Sequence, residues 1–169
     1  MVVVPGMLPP TRAPGCLTLM GSGIRNFGEA PRRGVCDDRV MRIKLTSLMV
    51  DDQDKALAFY TGPFGFIKKH DIDVGNGFRW ITVVSADGHP DVELSLEPNA
   101  NPAGKSFQEA MFSQGIPLTA FEVDDVPGEY ERLKGLGVVF TRPPTKMGTV
   151  TIAICADTCG NLIQLYRAD

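Results

Sequence analysis

Along residues 42–166 the apolar positions spell out one succession of elements twice. Residues 42–50 begin with alternation at Ile43 and Leu45 and end in the run Leu48-Met49-Val50, the pattern of a strand passing from half-exposed to buried. Residues 51–54 then offer short carboxylates that can accept the free N–H groups of a first helical turn, and Ala56, Leu57, Phe59 and Tyr60 give that helix its apolar face. Gly62-Pro63 ends it, because proline has no N–H to donate and turns the residue before it away from helical geometry. Strands are predicted to start at Phe64-Gly65-Phe66-Ile67 and to run over 78–84 and 92–96, the last two joined through Asp87-Gly88-His89-Pro90-Asp91.

The same order returns further along. A strand is predicted over 117–123, a helix over 126–136 with Tyr130, Leu133 and Leu136 on one face, and a strand over 137–140. A hairpin of 150–155 and 162–166 closes around Asp157-Thr158-Cys159-Gly160-Asn161. Val50-Asp51-Asp52 recurs as Val123-Asp124-Asp125. From Val50 to Gly65 is 15 residues and from Val123 to Gly137 is 14, while Gly65 to Glu93 is 28 and Gly137 to Gln164 is 27. A spacing that repeats with a drift of one residue marks a duplicated supersecondary unit. The modules are 41–98 and 115–169, and 99–114 read as a polar connector with a short helix over 105–112. Two βαβββ units, each with an exposed sheet face, are expected to pair those faces around a shared cavity.

Composition adds boundaries. With 169 residues, 43% hydrophobic and 22% charged, the chain can bury a core as one domain, expected over 41–169. A net charge of −3 and no basic face on the folded part exclude a nucleic-acid role, and no apolar run is long enough to span a membrane. Residues 1–40 are punctuated by prolines and glycines, carry five arginines against Glu29, Asp37 and Asp38, and lack both a positive start and an unbroken apolar core for secretion. They are expected to be disordered or a non-native extension, with Met41 as the favoured start. The protein is expected in the cytoplasm. Cys155 and Cys159 have no second pair with which to complete a zinc site and read as structural thiols, with a disulfide across the hairpin as the alternative.

Several of these stretches together resemble a known group. Met49-Val50-Asp51-Asp52 followed by Ala58-Phe59-Tyr60 and Gly65-Phe66, then Phe121-Glu122-Val123-Asp124-Asp125, then Asp157-Thr158-Cys159-Gly160-Asn161-Leu162-Ile163-Gln164-Leu165 resemble the vicinal oxygen chelate superfamily. That group includes glyoxalase I, bleomycin-resistance proteins and extradiol dioxygenases. The resemblance covers residues 41–169 and implies an α+β fold, with two βαβββ modules forming a half-open mixed β-barrel around a shared cavity. It also implies a homodimer.

Metal-using members of the superfamily carry a ligand five residues before the valine of each opening strand and a glutamate in each closing strand. On this chain the resemblance places those positions at Leu45, Glu93, Leu118 and Gln164. Leucine has no donor atom, and one carboxylate with one amide falls short of the three or four protein ligands of a catalytic site. No metal or other cofactor is therefore expected. His70 and His89 match none of the four positions and read as solvated loop residues, the first lying after the second strand and the second in a turn.

The cavity would then have an apolar floor at Leu45 and Leu118 and polar groups at Glu93 and Gln164. Glu93 shares a strand face with Ser95 and Glu97, while Val92, Leu94 and Leu96 face the helix. In the cavity, desolvation would raise the pKa of Glu93 and suit it to act as a base or a ligand anchor. Trp80 is a candidate for stacking on a flat ligand and points away from Arg79; Tyr166 shares the parity of Gln164. The paired aspartates at the two strand-to-helix junctions read as helix caps. The function expected is metal-independent binding or sequestration of a small molecule in the manner of glyoxalase-like bleomycin-resistance proteins. The alternative is an enzyme of lyase, isomerase or dioxygenase type that uses Glu93 as base or an atypical metal site.

Overall fold

The computed structural model describes residues 41–75 and 77–169. The expectation for residues 1–40 lies outside the described residues. Residues 41–169 form one compact unit of eight strands and three helices. In chain order these are β1 (Leu45–Val50), α1 (Gln53–Thr61), β2 (Ile67–Gly75), β3 (Phe78–Val84) and β4 (Glu93–Pro98), then α2 (Pro102–Ser113). The second module follows as β5 (Thr119–Glu122), α3 (Val126–Gly135), β6 (Phe140–Met147), β7 (Val150–Ala156) and β8 (Leu162–Ala168). Each module is a four-stranded mixed sheet, ordered β1-β4-β3-β2 and β5-β8-β7-β6, in which the opening strand pairs in parallel with the closing one. The two sheets pair up in an α+β fold of two βαβββ modules, without a closed barrel. Among the described residues no helix is long and apolar enough to cross a membrane.

Local chemistry sets the junctions. Asp52 caps α1, its carboxylate accepting the N–H groups of Asp54 and Lys55 at 2.9 and 3.0 Å. The aspartate at the matching junction, Asp125, makes no such bond; its carboxylate lies instead against Gly128, where a Cβ would collide with it. Helix α1 packs Ala56, Phe59 and Tyr60 onto the sheet face bearing Leu48, Val50, Ile81, Val83, Leu94 and Leu96. The corresponding face of the second sheet adds Cys155, Ile163 and Leu165, and α3 adds Leu133, so one core joins both modules.

Five boundaries differ from the sequence expectation. Strand β2 continues through Lys68-Lys69-His70-Asp71, and β6 continues through Pro143-Pro144. Both are sheet edges with shifts in register, where charges, bulges and prolines are tolerated because no second neighbour needs their backbone groups. The connector helix is longer than expected, because Asn101 caps it and Pro102 suits its first turn. Leu136 and Val92 are exposed, being just past the end of α3 and just before β4, where the periodicity of the element no longer applies.

Candidate functional site

In the first module the sheet has one face on α1 and another turned away from it, which carries the alternate residues Leu45, Ser47, Trp80, Thr82, Glu93, Ser95 and Glu97. Leu45 and Glu93 are register partners on β1 and β4. Across the sheet a bulge between Lys68 and His70 inserts Lys69 and changes which side chains reach this face. Lys69 Nζ stands 2.9 Å from Glu93 Oε1, and His70 Nε2 stands 3.8 Å from Glu93 Oε2. His70 is therefore a strand residue beside the candidate carboxylate, not a loop residue. The sequence concealed it because a bulge breaks the period-two rule by which faces are assigned.

The electrostatics of Glu93 also differ from expectation. Desolvation is the largest single influence and pushes its pKa up, but the Lys69 ammonium, the nearby Thr82 hydroxyl and His70 together hold it below the usual carboxylate value. These partners favour the ionised form of Glu93, opposite to the rise expected from desolvation alone. Thr82 is fully buried, and its hydroxyl stabilises the ionised Glu93 carboxylate. Ser47 donates to Glu97 at 2.7 Å on the same face.

Trp80 is half-buried on this face beside Ile72 of β2. Arg79 points the other way, to Asp71 and Asp54, as the alternation predicts. On the second sheet Gln164 is the register partner of Ala120 and Ile154, and Tyr166 of Glu122 and Ile152. Leu118 lies one pleat away, its N–H bonded to Leu162 O at 2.9 Å. The two opening strands thus present their leucines differently: Leu45 directly beside Glu93, Leu118 displaced from Gln164. The structure groups Leu45, Trp80 and Glu93 on one sheet and Leu118, Gln164 and Tyr166 on the other.

Other prominent residues are structural. Tyr60 is buried, its hydroxyl donating to Asp157 at 2.8 Å. Cys155 and Cys159 are buried free thiols, not joined in the alternative disulfide across the hairpin, and desolvation is the chief cause that pushes both up to about 12. A cavity of about 190 Å³ opens where the modules meet, lined by Phe64, Phe66, Phe121 and Leu133 with Glu122 and Glu129, and none of the predicted site residues lines it.

The donor set does not fit a catalytic divalent ion. Of the four positions, Leu45 and Leu118 offer no lone pair, and one oxygen of the Glu93 carboxylate is already engaged by an ammonium group.

The family model of the Glyoxalase/Bleomycin resistance protein/Dioxygenase superfamily matches residues 42–165. The chain belongs to this superfamily. Within the superfamily it is 58% identical over 127 residues to the uncharacterized protein YurT of Bacillus subtilis (strain 168), a match covering 75% of this chain and 99% of that protein. Among solved structures it is similar to UcmS2, with a TM-score of 0.66 and 32% identity over 75% of this chain and 98% of that one. It is also similar to TnmS3, described as an antibiotic binding protein from Streptomyces sp. CB03234, with a TM-score of 0.61 and 27% identity over 78% of this chain and 98% of that one.

Proposed function

We propose that this protein binds a small molecule on the Glu93 face and works without a bound metal, as a sequestering or resistance-type member of its superfamily. The observation that carries the reading is the pairing of Leu45 with Glu93: a side chain with no donor atom stands beside a carboxylate that is itself held by Lys69. A face with polar groups at its centre and Leu45, Trp80 and Ile72 around them suits an organic ligand better than a hydrated cation. The similarity to TnmS3, described as antibiotic-binding, supports the same reading. We further propose a homodimer in the cytoplasm. Leu45 is 42% exposed and Ile72 53%, and a second copy laid over this face would bury both. Two unbridged thiols fit a reducing compartment.

A titration of the full chain with divalent cations and with a small-molecule collection, read as thermal stability, tests the reading. A ligand that binds only the native state must raise the melting temperature. The expected result is a rise with selected organic compounds and none specific to a cation; a large cation-specific rise overturns the metal-free reading. The closeness of His70 to Glu93 favours a second reading, an enzyme in which the pair handles a proton. In that case Glu93→Gln abolishes turnover of the substrate while leaving the fold intact, and retained turnover disposes of it.

A further inference from the structure

The cavity of about 190 Å³ between the modules shares Phe64, Phe66, Phe121 and Leu133 with the core beneath the helices, and none of the Glu93-face residues lines it. Its walls are aromatic. Phe64 and Phe66 follow α1 and Phe121 comes from β5; all three are half-buried, with ring planes at 82°, 84° and 87° to one another and centroids 5.1 to 6.1 Å apart. Three planes at right angles cannot all turn edges to one cavity, so at least one ring turns a face toward it. A ring face is the negative side of the aromatic quadrupole and attracts a cation within about 6 Å of its centroid. Backbone bonds fix these walls: Phe66 N–H donates to Tyr60 O at 2.9 Å, and Val123 N–H to Tyr166 O at 3.0 Å.

Charge at the mouth has the matching sign. Where the cavity widens, the carboxylates of Asp87, Glu122, Asp124, Asp125 and Glu129 line it together with one guanidinium, that of Arg132. Arg132 is already committed, its Nε donating to Glu129 and its Nη2 to Pro63 O, each at 2.8 Å. Arg167 balances Asp124 at 2.9 Å. Among the described residues no basic side chain pairs with Asp87, Glu122 or Asp125, so the mouth keeps an excess of negative charge. The phenyl walls offer no ordinary hydrogen-bond acceptor, so an ammonium bearing N–H groups would lose water partners on entry, whereas a fully methylated one has none to lose.

We propose that this cavity is a second ligand site and takes a small molecule with a quaternary, methylated ammonium group, its methyls against Phe64, Phe66 and Phe121 and its charge facing the carboxylates at the mouth. The two sites have no residue in common, so this one stands or falls independently of the Glu93 face.

Calorimetric titration of the full chain with three probes makes the test: choline, its uncharged isostere 3,3-dimethyl-1-butanol, and ethanolamine, which keeps the charge without the methyls. Choline is expected to bind saturably and roughly tenfold more tightly than either, within the range a cation–π contact supplies. Added salt is expected to weaken choline and leave the alcohol unchanged. Phe121→Leu keeps an apolar wall but removes a ring, and is expected to bring choline down toward its isostere. Glu122→Gln, at an exposed position, is expected to weaken choline severalfold at unchanged melting temperature. Equal binding of choline and its isostere, tighter binding of ethanolamine, or no saturable binding of choline overturns the proposal. Choline binding that both variants leave unchanged also overturns it, because the ion then sits elsewhere on the chain. The isostere comparison uses the unaltered protein and holds even if Phe121→Leu does not fold.

Discussion

Tyr60 and Asp157 are 97 residues apart in sequence and 2.8 Å apart in the structure, one from each module. The Asp157 carboxylate, fully buried, also accepts the N–H groups of Cys159 and Asn161 at 2.8 and 2.9 Å and the Asn161 side-chain amide at 2.6 Å. Asn161 passes the connection to Met49 O at the end of β1, and Gln108 from α2 bonds to Met49 O, Cys159 O and Asn161 Oδ1. The Asp-x-x-Gly-Asn turn is therefore a polar latch that holds the modules and the connector helix in one unit.

Breaking the latch at its two ends should cost different amounts. Tyr60→Phe removes one donor and leaves Asp157 with its other three bonds, an expected loss of about 1–3 kcal/mol. Asp157→Asn replaces acceptor lone pairs with N–H groups facing other donors, and a loss of at least about 3 kcal/mol is expected from the clash of unpaired polar groups. Chemical denaturation of the two variants checks the order.

Gly160 is held at φ +91°, where a side chain is strained, and a Cβ there would approach the Gln108 amide at 3.1 Å. Gly160→Ala should therefore destabilise by about 1–3 kcal/mol through backbone strain and displacement of Gln108. Gly135 lies within α3 at an ordinary φ with nothing near its Cβ direction, so Gly135→Ala is the control and should be neutral or stabilising.

How much of this was legible in the sequence depended on distance along the chain. The Asp52 cap and the alternation that separates Arg79 from Trp80 are local, and both could be predicted from a few adjacent residues. The Asp157-to-Asn161 turn was visible as a motif, but its partner Tyr60 lies in the other module, so its role as a latch was not. The candidate site was half visible. Glu93 and Leu45 followed from spacing, whereas Lys69 and His70 reach Glu93 only because of a bulge that no pattern of polar residues announces. Spacing made Leu45 and Leu118 equivalent; strand register then separated them, because the partner of Gln164 is Ala120. Register is set by pairing between distant strands, and residue counts leave it open.

The hairpin thiols offer a direct check on core integrity. Both are fully buried with pKa values near 12, so almost no thiolate is present or accessible at pH 8. Alkylation of the native protein followed by peptide mapping should leave Cys155 and Cys159 unmodified, and the same treatment in denaturant should modify both.

Arg79 ties β3 to Asp71 on β2 and to Asp54 in the first turn of α1. Hydrogen bonds from Arg79 and Lys68 hold the Asp71 carboxyl at about 2, against an ordinary 3.8. A carboxyl depressed in the folded state stabilises it above the unfolded value and loses that contribution as pH falls toward the folded one. The stability difference between the wild type and Asp71→Asn should thus be constant above about pH 5 and shrink between about pH 4 and pH 2, as pH-dependent denaturation midpoints would show.

Lys69 should govern the ionisation of Glu93. In the wild type the Glu93 pKa lies below its usual value because Lys69, Thr82 and His70 together outweigh desolvation. Lys69→Met removes the ammonium and leaves the desolvation, so the pKa must rise. The sign carries over to stability: the folded protein gains from ionised Glu93 above the unfolded pKa and loses that gain as the carboxyl is protonated, and in Lys69→Met the gain shrinks or reverses. Carbon-13 titration of the Glu93 carboxyl in both proteins reads the shift directly. An unchanged pKa in the variant would mean that Lys69 does not hold the carboxylate in solution, and that Glu93 Oε1 is as open to a ligand as Oε2.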